Sequence, residues 1–566
     1  MNGSVFVVLF SLLSIFLPTI AKSSEEWRSR VIYQLLTDRF AVDDGSTDTY
    51  CDVSSLQYCG GTWKGISTKL DYIADMGFTA IWISPIDKNI EGEQGTSGWA
   101  YHGYWNTDYK SLNSHFGSES DLISMITAAH NLGIWVMFDT IANSMAVNGS
   151  NPDFSYSTLV PFNAEKYFHP YCVIDWDTDT DDQIVDCWTN AGVVTLADLD
   201  LENSDVSDYL YSQVKSVVSK YSVDGIRVDS AKQMNTSFFP DYVSNAGVFA
   251  LGEVFSYDPN MMCKYMKYSI GSTNYPLQLK MNFSFTATGA GMTLIESLYE
   301  SMSSNSNCSG VDRSLTGTFI ENHDLQRFAS YTSDQANIMG AIAFVLVWDG
   351  IPIIYYGQEQ GFSGAADPLN REALWSSGYD TTNPYYTLIK SLVHFRRTVM
   401  SQDSTYVTTL FSFIESARDH MIAQKNKVLV VFANVGVSVN STTYTISSNF
   451  SSGVVLSEII HQKTATVGSG GVFEATMTNG YPLIFYPSAS LASTSVYTVN
   501  LTIVPTTEHT GTTTVTTSYY KPTYSARTFT GSGSVFTLSA ASSYSSSSLL
   551  ILGSLAAAAL VTFIVW

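Results

Sequence analysis

The sequence predicts a (β/α)8 barrel, in which eight parallel strands form a closed cylinder inside a ring of helices. Short runs of β-branched or aromatic residues alternate with longer mixed segments, and this alternation is typical of a parallel sheet with helical crossovers. Seven or eight such units occupy roughly 370 residues, which fits a barrel better than an open doubly wound sheet. No Gly-x-Gly-x-x-Gly turn follows the first run, so the sequence does not support dinucleotide binding.

Most strands of the barrel can be placed along the chain. They are predicted at residues 31–36, 79–84, 134–139, 225–229, 249–254, 317–321 and 351–356. Helical segments are predicted at residues 122–132 and 206–220. We assign residues 22–143 and 199–401 to the barrel. Residues 144–198 exceed an ordinary βα loop and are predicted to form an inserted subdomain over the carboxyl end of the barrel.

The chain beyond the barrel divides into a second domain and a polar segment. Alternating runs at residues 427–432 and 442–446 predict an antiparallel β domain, a β-sandwich, over residues 402–486. Residues 487–548 are rich in Ser and Thr, which is typical of a glycosylated stalk.

Both ends of the chain carry apolar runs that predict targeting signals. Residues 1–21 are interpreted as a cleaved secretory signal, since the run is shorter than the roughly 20 apolar residues of a spanning helix. Residues 549–566 follow a polar stretch and small residues, the order of parts in a glycosylphosphatidylinositol (GPI) attachment signal. A plain tail anchor is the alternative. We expect a GPI-anchored protein at the extracellular face of the plasma membrane or in the cell wall.

Composition restricts the class of partner. The chain has 28 Lys and Arg against 51 Asp and Glu, and its formal net charge of −23 would repel a nucleic acid. Only 14% of the residues are charged and 13% are aromatic, so the surface suits neutral polyhydroxy ligands that stack on rings and hydrogen-bond to polar groups. We expect a monomer with no nucleic-acid partner.

The cysteines and glycosylation sequons agree with an extracellular protein. Sequential pairing of the six cysteines, Cys51–Cys59, Cys172–Cys187 and Cys263–Cys308, closes the shortest loops and is the pairing we predict. No Cys-x-x-Cys is present, which gives little support to a zinc or thioredoxin-type site. Acceptor sequons occur at Asn148, Asn235, Asn282, Asn307, Asn440, Asn449 and Asn500.

Three predicted strands end on a carboxylate, at the end of the barrel where an enzyme of this fold carries its reactive groups. The three carboxylates are Asp229, Glu253 and Asp324. One such residue alone is more often a helix cap, but three in different strands of one barrel favour catalysis. Cleavage of an acetal with retention needs a carboxylic acid and a carboxylate nucleophile. Arg227 lies two residues before Asp229 and favours its ionised form, which leaves Glu253 as the acid.

The order of motifs closely resembles the alpha-amylase family, glycoside hydrolase family 13, of the secreted fungal type over residues 25–486. The motifs are FDTIAN at 138–143, LADLD at 196–200, GIRVDSAK at 225–232, GEV at 252–254, FIENHD at 319–324, AYHGYW at 100–105, GIPIIYYGQEQ at 350–360 and DPLNRE at 367–372. The sequential disulfides match that family as well.

The resemblance implies a role for each matching residue. Asp229 would be the nucleophile, Glu253 the general acid and base, and Asp324 the transition-state stabiliser. Trp105 would stack on a glucose ring and Lys232 would contact the leaving-group side. The sugar at the cleavage point would be bound by His102, Arg227, His323, Asp367 and Arg371.

Two departures affect the expected sugar contacts. Ser144 stands where the family usually has a His, so one hydrogen bond worth about 0.5 to 1.5 kcal/mol is expected to be missing. The stacking aromatic of the family falls at Ser97, with Trp99 nearby as a candidate substitute.

The calcium site implied by the family is also altered. Asn143, Asp198 and the carbonyl of Gln233 match its ligands, but the acidic ligand falls at Val185. Calcium takes roughly 6 to 8 oxygen ligands, so we expect Ca²⁺ at reduced affinity unless a nearby carboxylate replaces the missing one. The candidates for that replacement are Asp182 and Asp186.

The leading hypothesis is a retaining, endo-acting hydrolase of α-1,4-glucosidic bonds in starch-like or cell-wall α-glucan. A transglycosylase that remodels wall glucan is the first alternative, because water and a sugar hydroxyl attack the same intermediate. A non-catalytic glycan-binding wall protein on the same fold is the second.

Overall fold

The computed structural model describes residues 22–149, 155–175, 181–191, 193–286, 291–491, 499 and 501. The predicted signal peptide, nearly all of the stalk and the C-terminal apolar run lie outside these residues. Within the described ranges, no helix has the length and hydropathy needed to cross a membrane.

Eight parallel strands form a closed barrel, which confirms the predicted fold class. They are β1 Ile32–Gln34, β2 Ala80–Ile83, β3 Trp135–Thr140, β4 Gly225–Val228, β5 Phe249–Gly252, β6 Gly271–Thr273, β7 Thr316–Thr318 and β8 Ile351–Tyr355. Each strand pairs with its neighbours in sequence, and β8 pairs with β1 through Ile353 and Ile32. Strand β6 was not predicted, because its three residues, Gly-Ser-Thr, carry no apolar or β-branched run.

Helices surround the barrel. The longer ones are Trp63–Asp75, Glu119–Asn131, Ser204–Tyr221, Phe239–Ala246, Pro259–Met266, Tyr275–Thr286, Thr293–Ser304, Gln335–Val347 and Pro384–Gln402, and shorter ones are Ser24–Trp27, Thr37–Phe40 and Asp181–Asp186. The Ser204–Tyr221 helix begins at an Asn203 cap and buries a stripe of residues three or four positions apart against the barrel. Both predicted helical segments are helices, with ends shifted by one to three residues.

Two small antiparallel sheets lie near the carboxyl end of the barrel. Asp87–Asn89 pairs with Asn106–Leu112, downstream of β2. After β3, Ser144–Asn148, Val194–Asp198 and Thr189–Ala191 form a three-stranded sheet with Val194–Asp198 in the centre. These strands lie at the two ends of the segment predicted as an insertion, and the Cys172–Cys187 disulfide joins the chain between them.

The C-terminal region is antiparallel, as predicted. One sheet has the strand order Ser412–Ser416, His420–Lys425, Val428–Ala433, Leu483–Pro487, Val455–Glu458, Thr464–Thr466, and a separate pair is Ser441–Ser447 with Val472–Thr478. A buried ion pair joins this domain to the barrel, with Lys425 Nζ 3.0 Å from Asp349 Oδ1.

All six cysteines are paired sequentially, as predicted. The disulfides are Cys51–Cys59, Cys172–Cys187 and Cys263–Cys308.

Candidate active site

A cavity of about 660 Å³ opens at the carboxyl end of the barrel. The strands are parallel, so the residues that follow them meet at this one end. The cavity brings together most of the residues predicted from the sequence, namely Asp229, Glu253, Asp324, His102, Trp105, Lys232, Gln233, His323, Asp367 and Arg371. Arg227 does not line it but lies at the base of the carboxylates.

Arg227 holds the carboxylates in place. Its side chain is 1% exposed, and its Nη1 donates to Asp139 Oδ1 at 2.9 Å and to Asp229 Oδ1 at 2.6 Å. Its Nη2 lies 2.9 Å from Glu253 Oε2. Burial opposes the charge of the guanidinium, but the surrounding carboxylates raise its pKa well above the ordinary value. One permanent cation therefore fixes Asp229 and Glu253 on neighbouring nitrogens of the same plane.

Glu253 follows β5 directly and is buried. The backbone N–H of Ser230 donates to its Oε2 at 2.9 Å, and the Tyr275 hydroxyl lies 3.4 Å from Oε1. Burial raises the pKa of Glu253 to about 8; Arg227 opposes this rise, while Asp229 and Asp324 add to it. Glu253 is therefore a protonated acid at neutral pH, as a general acid must be.

Asp229 sits at the end of β4 and keeps an open side toward the cavity. Its Oδ2 accepts a hydrogen bond from the Ser230 hydroxyl at 3.0 Å, and its backbone N–H donates to the Thr140 carbonyl of β3. The hydrogen bonds from Arg227 and Ser230 fix the orientation of the Asp229 carboxyl group.

Asp324 lies six residues after β7, on the loop that the FIENHD motif forms. Its Oδ2 is 3.2 Å from His323 Nε2 and its Oδ1 is 3.6 Å from Arg371 Nη2. Burial raises the pKa of Asp324 to about 6, against the opposing effect of Arg371. Arg371 also contacts Asp367 at 3.0 Å, so these charged side chains line one wall together.

The two histidines of the cavity are neutral donors. Burial, followed by the nearby arginines, lowers the pKa of both His102 and His323 well below the ordinary value. His102 Nδ1 accepts the Tyr104 backbone N–H at 3.0 Å, and His323 Nδ1 is 2.9 Å from Gln34 Nε2. Since Nδ1 is the acceptor in each ring, the proton is on Nε2. Each histidine can therefore donate an N–H to a bound hydroxyl or carboxylate.

Two side chains at the centre of the site were not singled out from the sequence. Tyr104 lines the cavity and stacks on His323 with ring centroids 4.9 Å apart, and its hydroxyl donates to Asp139 Oδ2 at 2.7 Å. Asp139 is 2% exposed, accepts from Trp82 as well, and orients Arg227. Both residues lie inside motifs already identified, AYHGYW and FDTIAN, so closer attention to the remaining polar positions of those motifs would have found them. Phe255 and Tyr257, just after Glu253, also line the cavity.

The positions at which the sequence departs from the family differ in whether they line the cavity. Ser97 lines the cavity, whereas Trp99 is not among the lining residues and packs edge-on against Tyr58 and His115. Trp99 is therefore a poor substitute for the missing aromatic, and Tyr104 provides a ring in the cavity instead. Ser144 is buried at the start of a strand that pairs with Asp198 and does not line the cavity.

The residues predicted for calcium lie close together. Asn143 and Asp198 are buried, with Asn143 Nδ2 2.9 Å from Asp198 Oδ1, and the other Asp198 oxygen is 2.7 Å from His169 Nδ1. The helix Asp181–Asp186, which carries Val185, packs against Ala231–Gln233, and Gln233 Oε1 is buried without a hydrogen-bond partner. Asp186 is exposed, and the side chain of Asp182 lies outside the described residues. The donor set fits a calcium site that has lost one carboxylate.

The chain is similar in sequence to known alpha-amylases. The chain matches the family model of the alpha amylase catalytic domain over residues 34–247 and 241–420, and that of alpha-amylase domain C over residues 415–500. It is 59% identical over 543 residues to Alpha-amylase 3 of Schizosaccharomyces pombe, an alignment that covers 96% of each chain.

Solved structures of alpha-amylase-like proteins have the same fold as this chain. An alpha-amylase from Malbranchea cinnamomea superposes with a TM-score of 0.80 at 37% identity, covering 84% of this chain and 99% of that chain. CldA, described as a cyclomaltodextrin glucanotransferase with a three-domain ABC distribution, gives a TM-score of 0.69 at 26% identity, covering 81% and 98%. The match to the catalytic-domain family model covers more than half of this chain. The chain therefore belongs to the alpha-amylase family.

Proposed function

We propose that this alpha-amylase-like glycoside hydrolase cleaves α-1,4-glucosidic bonds inside an α-glucan chain, with retention at the anomeric carbon. The observation that carries the proposal is the shared guanidinium of Arg227, which binds Asp229 and Glu253 on adjacent nitrogens at 2.6 and 2.9 Å. Carboxylates held this close favour direct attack by one of them, since an inverting enzyme needs space for a water between its two carboxyl groups.

The first step forms a covalent intermediate. A carboxylate oxygen of Asp229 attacks the anomeric carbon while the bond from that carbon to the glycosidic oxygen breaks. Glu253, held protonated at neutral pH by burial, gives its proton to the departing oxygen, which leaves as a sugar hydroxyl.

The second step releases the product. Glu253 is now ionised and removes a proton from a water, whose oxygen attacks the anomeric carbon and expels the Asp229 carboxylate. Asp324 and the neutral His102 and His323 bind hydroxyls of the reacting sugar, while Arg371 fixes the orientation of Asp324. These contacts stabilise the ring as it flattens toward the oxocarbenium-like transition state.

Turnover of maltoheptaose by the ectodomain tests the proposal. We expect Asp229→Asn and Glu253→Gln each to lower kcat by several orders of magnitude and to leave the melting temperature close to that of the parent. Asp241→Asn, on the outer helix Phe239–Ala246, is the matched control and should keep full activity. If neither the parent nor Asp229→Asn cleaves maltoheptaose, the non-catalytic alternative replaces this proposal, and equal turnover by both would show that Asp229 is not the nucleophile.

The transglycosylase alternative differs only in the acceptor of the second step. The similarity to CldA supports keeping it, because a related fold carries a glucanotransferase. Products shorter than maltoheptaose alone would support hydrolysis, whereas longer products would establish transfer. The order in which chain lengths appear on amylose would separate internal from terminal cleavage.

Calcium is proposed as a structural ion held by Asn143, Asp198 and the Gln233 carbonyl. When bound, it would link the inserted strands to the barrel. Adding calcium to chelator-treated protein should raise the melting temperature only at high calcium concentration, since one carboxylate is missing. A tight, stoichiometric transition would contradict the weakened site.

The location of the protein is proposed from the sequence of its ends. A signal at 1–21 and an attachment signal before 549–566 would place the enzyme on a GPI anchor at the cell surface. The exposed sequons Asn148, Asn307, Asn440 and Asn449 support passage through the secretory pathway. Release of the enzyme from intact cells by a GPI-specific phospholipase would support the anchor, and retention after that treatment would favour a plain tail anchor.

A further inference from the structure

A second cavity, the flank cavity, lies on the outside of the barrel. It has a volume of about 630 Å³, close to the 660 Å³ of the catalytic cavity, and shares no lining residue with it. Its walls come from the strand Asn106–Leu112, the start of the helix Glu119–Asn131 and one face of the helix Ser204–Tyr221. The volume is within the range of small-molecule sites.

Asp87 is the unusual residue of this cavity. It is 8% exposed, and its carboxyl group makes no hydrogen bond to any residue in the described part of the chain. A mostly buried carboxyl group has few other partners available, so a hydrogen bond from a molecule that reaches it is favourable. Asp87 lines the flank cavity, so a ligand there can form hydrogen bonds with its carboxyl group.

The chemistry of the walls favours a neutral ligand. Burial, and then the neighbouring Asp108, raises the pKa of Asp87 to about 8, so the group is a neutral donor and acceptor at pH 7 rather than a site for a cation. Lys220 is paired with Glu119, which leaves exposed Lys110 as the remaining lysine of the lining. This arrangement does not concentrate charge of either sign.

Aromatic and amide groups complete a surface for a sugar. Tyr109, Tyr209 and Tyr221 line the cavity, and the half-buried Tyr209 has no hydrogen-bond partner for its hydroxyl among the described residues. Gln213, one turn further along the same helix, also lines the cavity. Tyrosine rings stack on the apolar faces of sugar rings, and carboxyl and amide groups bind pairs of adjacent hydroxyls.

We propose that the flank cavity is a second α-glucan-binding site, in which Asp87 and Gln213 bind sugar hydroxyls and Tyr209 stacks on a glucose ring. The choice of an α-glucan rests on the proposed function of the catalytic cavity. The site would hold one part of a long substrate while the catalytic cavity cleaves another part or another chain.

Calorimetry with maltoheptaose tests the site in the full-length ectodomain carrying Glu253→Gln, which prevents turnover. We expect two binding events in this background. Adding Tyr209→Ala should remove one event, or weaken it roughly tenfold or more, and leave the other unchanged. Asp87→Ala should act in the same way, whereas Asp87→Asn, which keeps the shape and the hydrogen-bonding capacity, should retain both events.

Tyr268→Ala is the matched control, because Tyr268 is a surface tyrosine, 36% exposed, that lines neither cavity. This variant should keep both binding events. In the active enzyme, Tyr209→Ala should lower turnover of amylose several-fold and leave turnover of maltotriose unchanged.

A single binding event in the Glu253→Gln background would overturn the flank site, and so would two events that survive Tyr209→Ala. Calcium or inorganic phosphate bound at the flank cavity in place of maltoheptaose would also overturn it. Failure of the proposed function has a different signature: the parent would not cleave maltoheptaose, while the event that depends on Tyr209 would persist.

Discussion

At the scale of single residues, the site depends on how neighbouring carboxylates shift one another's pKa. Glu253 lies near Asp229 and Asp324, and their charges add to the effect of burial in keeping it protonated. Arg227 opposes this effect but cannot cancel it, because its charge is shared with Asp139 and Asp229. The roles proposed for these carboxylates follow from this division of charge.

The pH profile of kcat/KM should report this arrangement. The general acid must be protonated, so we expect activity to fall as pH rises through about 8, the pKa of Glu253. Asp324→Asn removes one of the negative charges that raise this pKa, so the residual activity should decline at lower pH than in the parent. Asp367→Asn is the control, since Asp367 is not among the main causes of the shift. An unmoved alkaline limb in Asp324→Asn would contradict this account.

At the scale of elements, the sequence predicts strands well where they are apolar and poorly where they are short and polar. Strands β2 and β8 are recognisable from their buried aliphatic residues. Strand β6 is three small residues whose pairing is fixed by the barrel around it, and no local pattern predicts it. The same limit applies to the site: the motifs contain Tyr104 and Asp139, but only the tertiary structure brings them to Arg227.

The inserted strands and the helix Asp181–Asp186 set the proposed calcium affinity. Val185→Glu restores a carboxylate on the helix that packs against Ala231–Gln233. We expect this variant to show a larger calcium-dependent rise in melting temperature than the parent. Val185→Gln, similar in size but uncharged, is the matched control and should behave nearly like the parent. Equal shifts in both variants would show that position 185 is not a ligand position.

At the scale of the whole molecule, the barrel and the C-terminal domain are joined by a buried charge pair. Asp349 precedes β8 and accepts hydrogen bonds from Lys425 and from the Phe411 backbone N–H. Burial lowers the pKa of Lys425 to about 8 even though Asp349 opposes the shift. The position of the C-terminal domain is therefore coupled to the strand that closes the barrel.

Removing one partner should destabilise the molecule. Asp349→Asn leaves Lys425 buried without a counter-charge, and we expect the free energy of unfolding to fall by about 3 to 5 kcal/mol. The loss should be largest where Lys425 is protonated in the folded parent, and it should shrink as pH rises through about 8, the pKa of Lys425 there, because above that pH Lys425 is neutral in both folded proteins. Chemical denaturation across this pH range measures it. The double variant Asp349→Asn with Lys425→Met should recover much of the loss, and failure to do so would mean that the charge pair is not the cause.

The pairing of β1 with β8 has a consequence for synthesis of the chain. Ile32 meets Ile353 only after more than half of the protein has left the ribosome. Until then β1 has a free edge on the side that β8 will occupy, and the loops that carry Asp229 and Glu253 project from an open sheet. An unpaired strand edge of this kind favours aggregation by pairing with strands of other chains. The closed barrel and its cleft therefore form only after β8 has been made, rather than gradually as the earlier strands emerge.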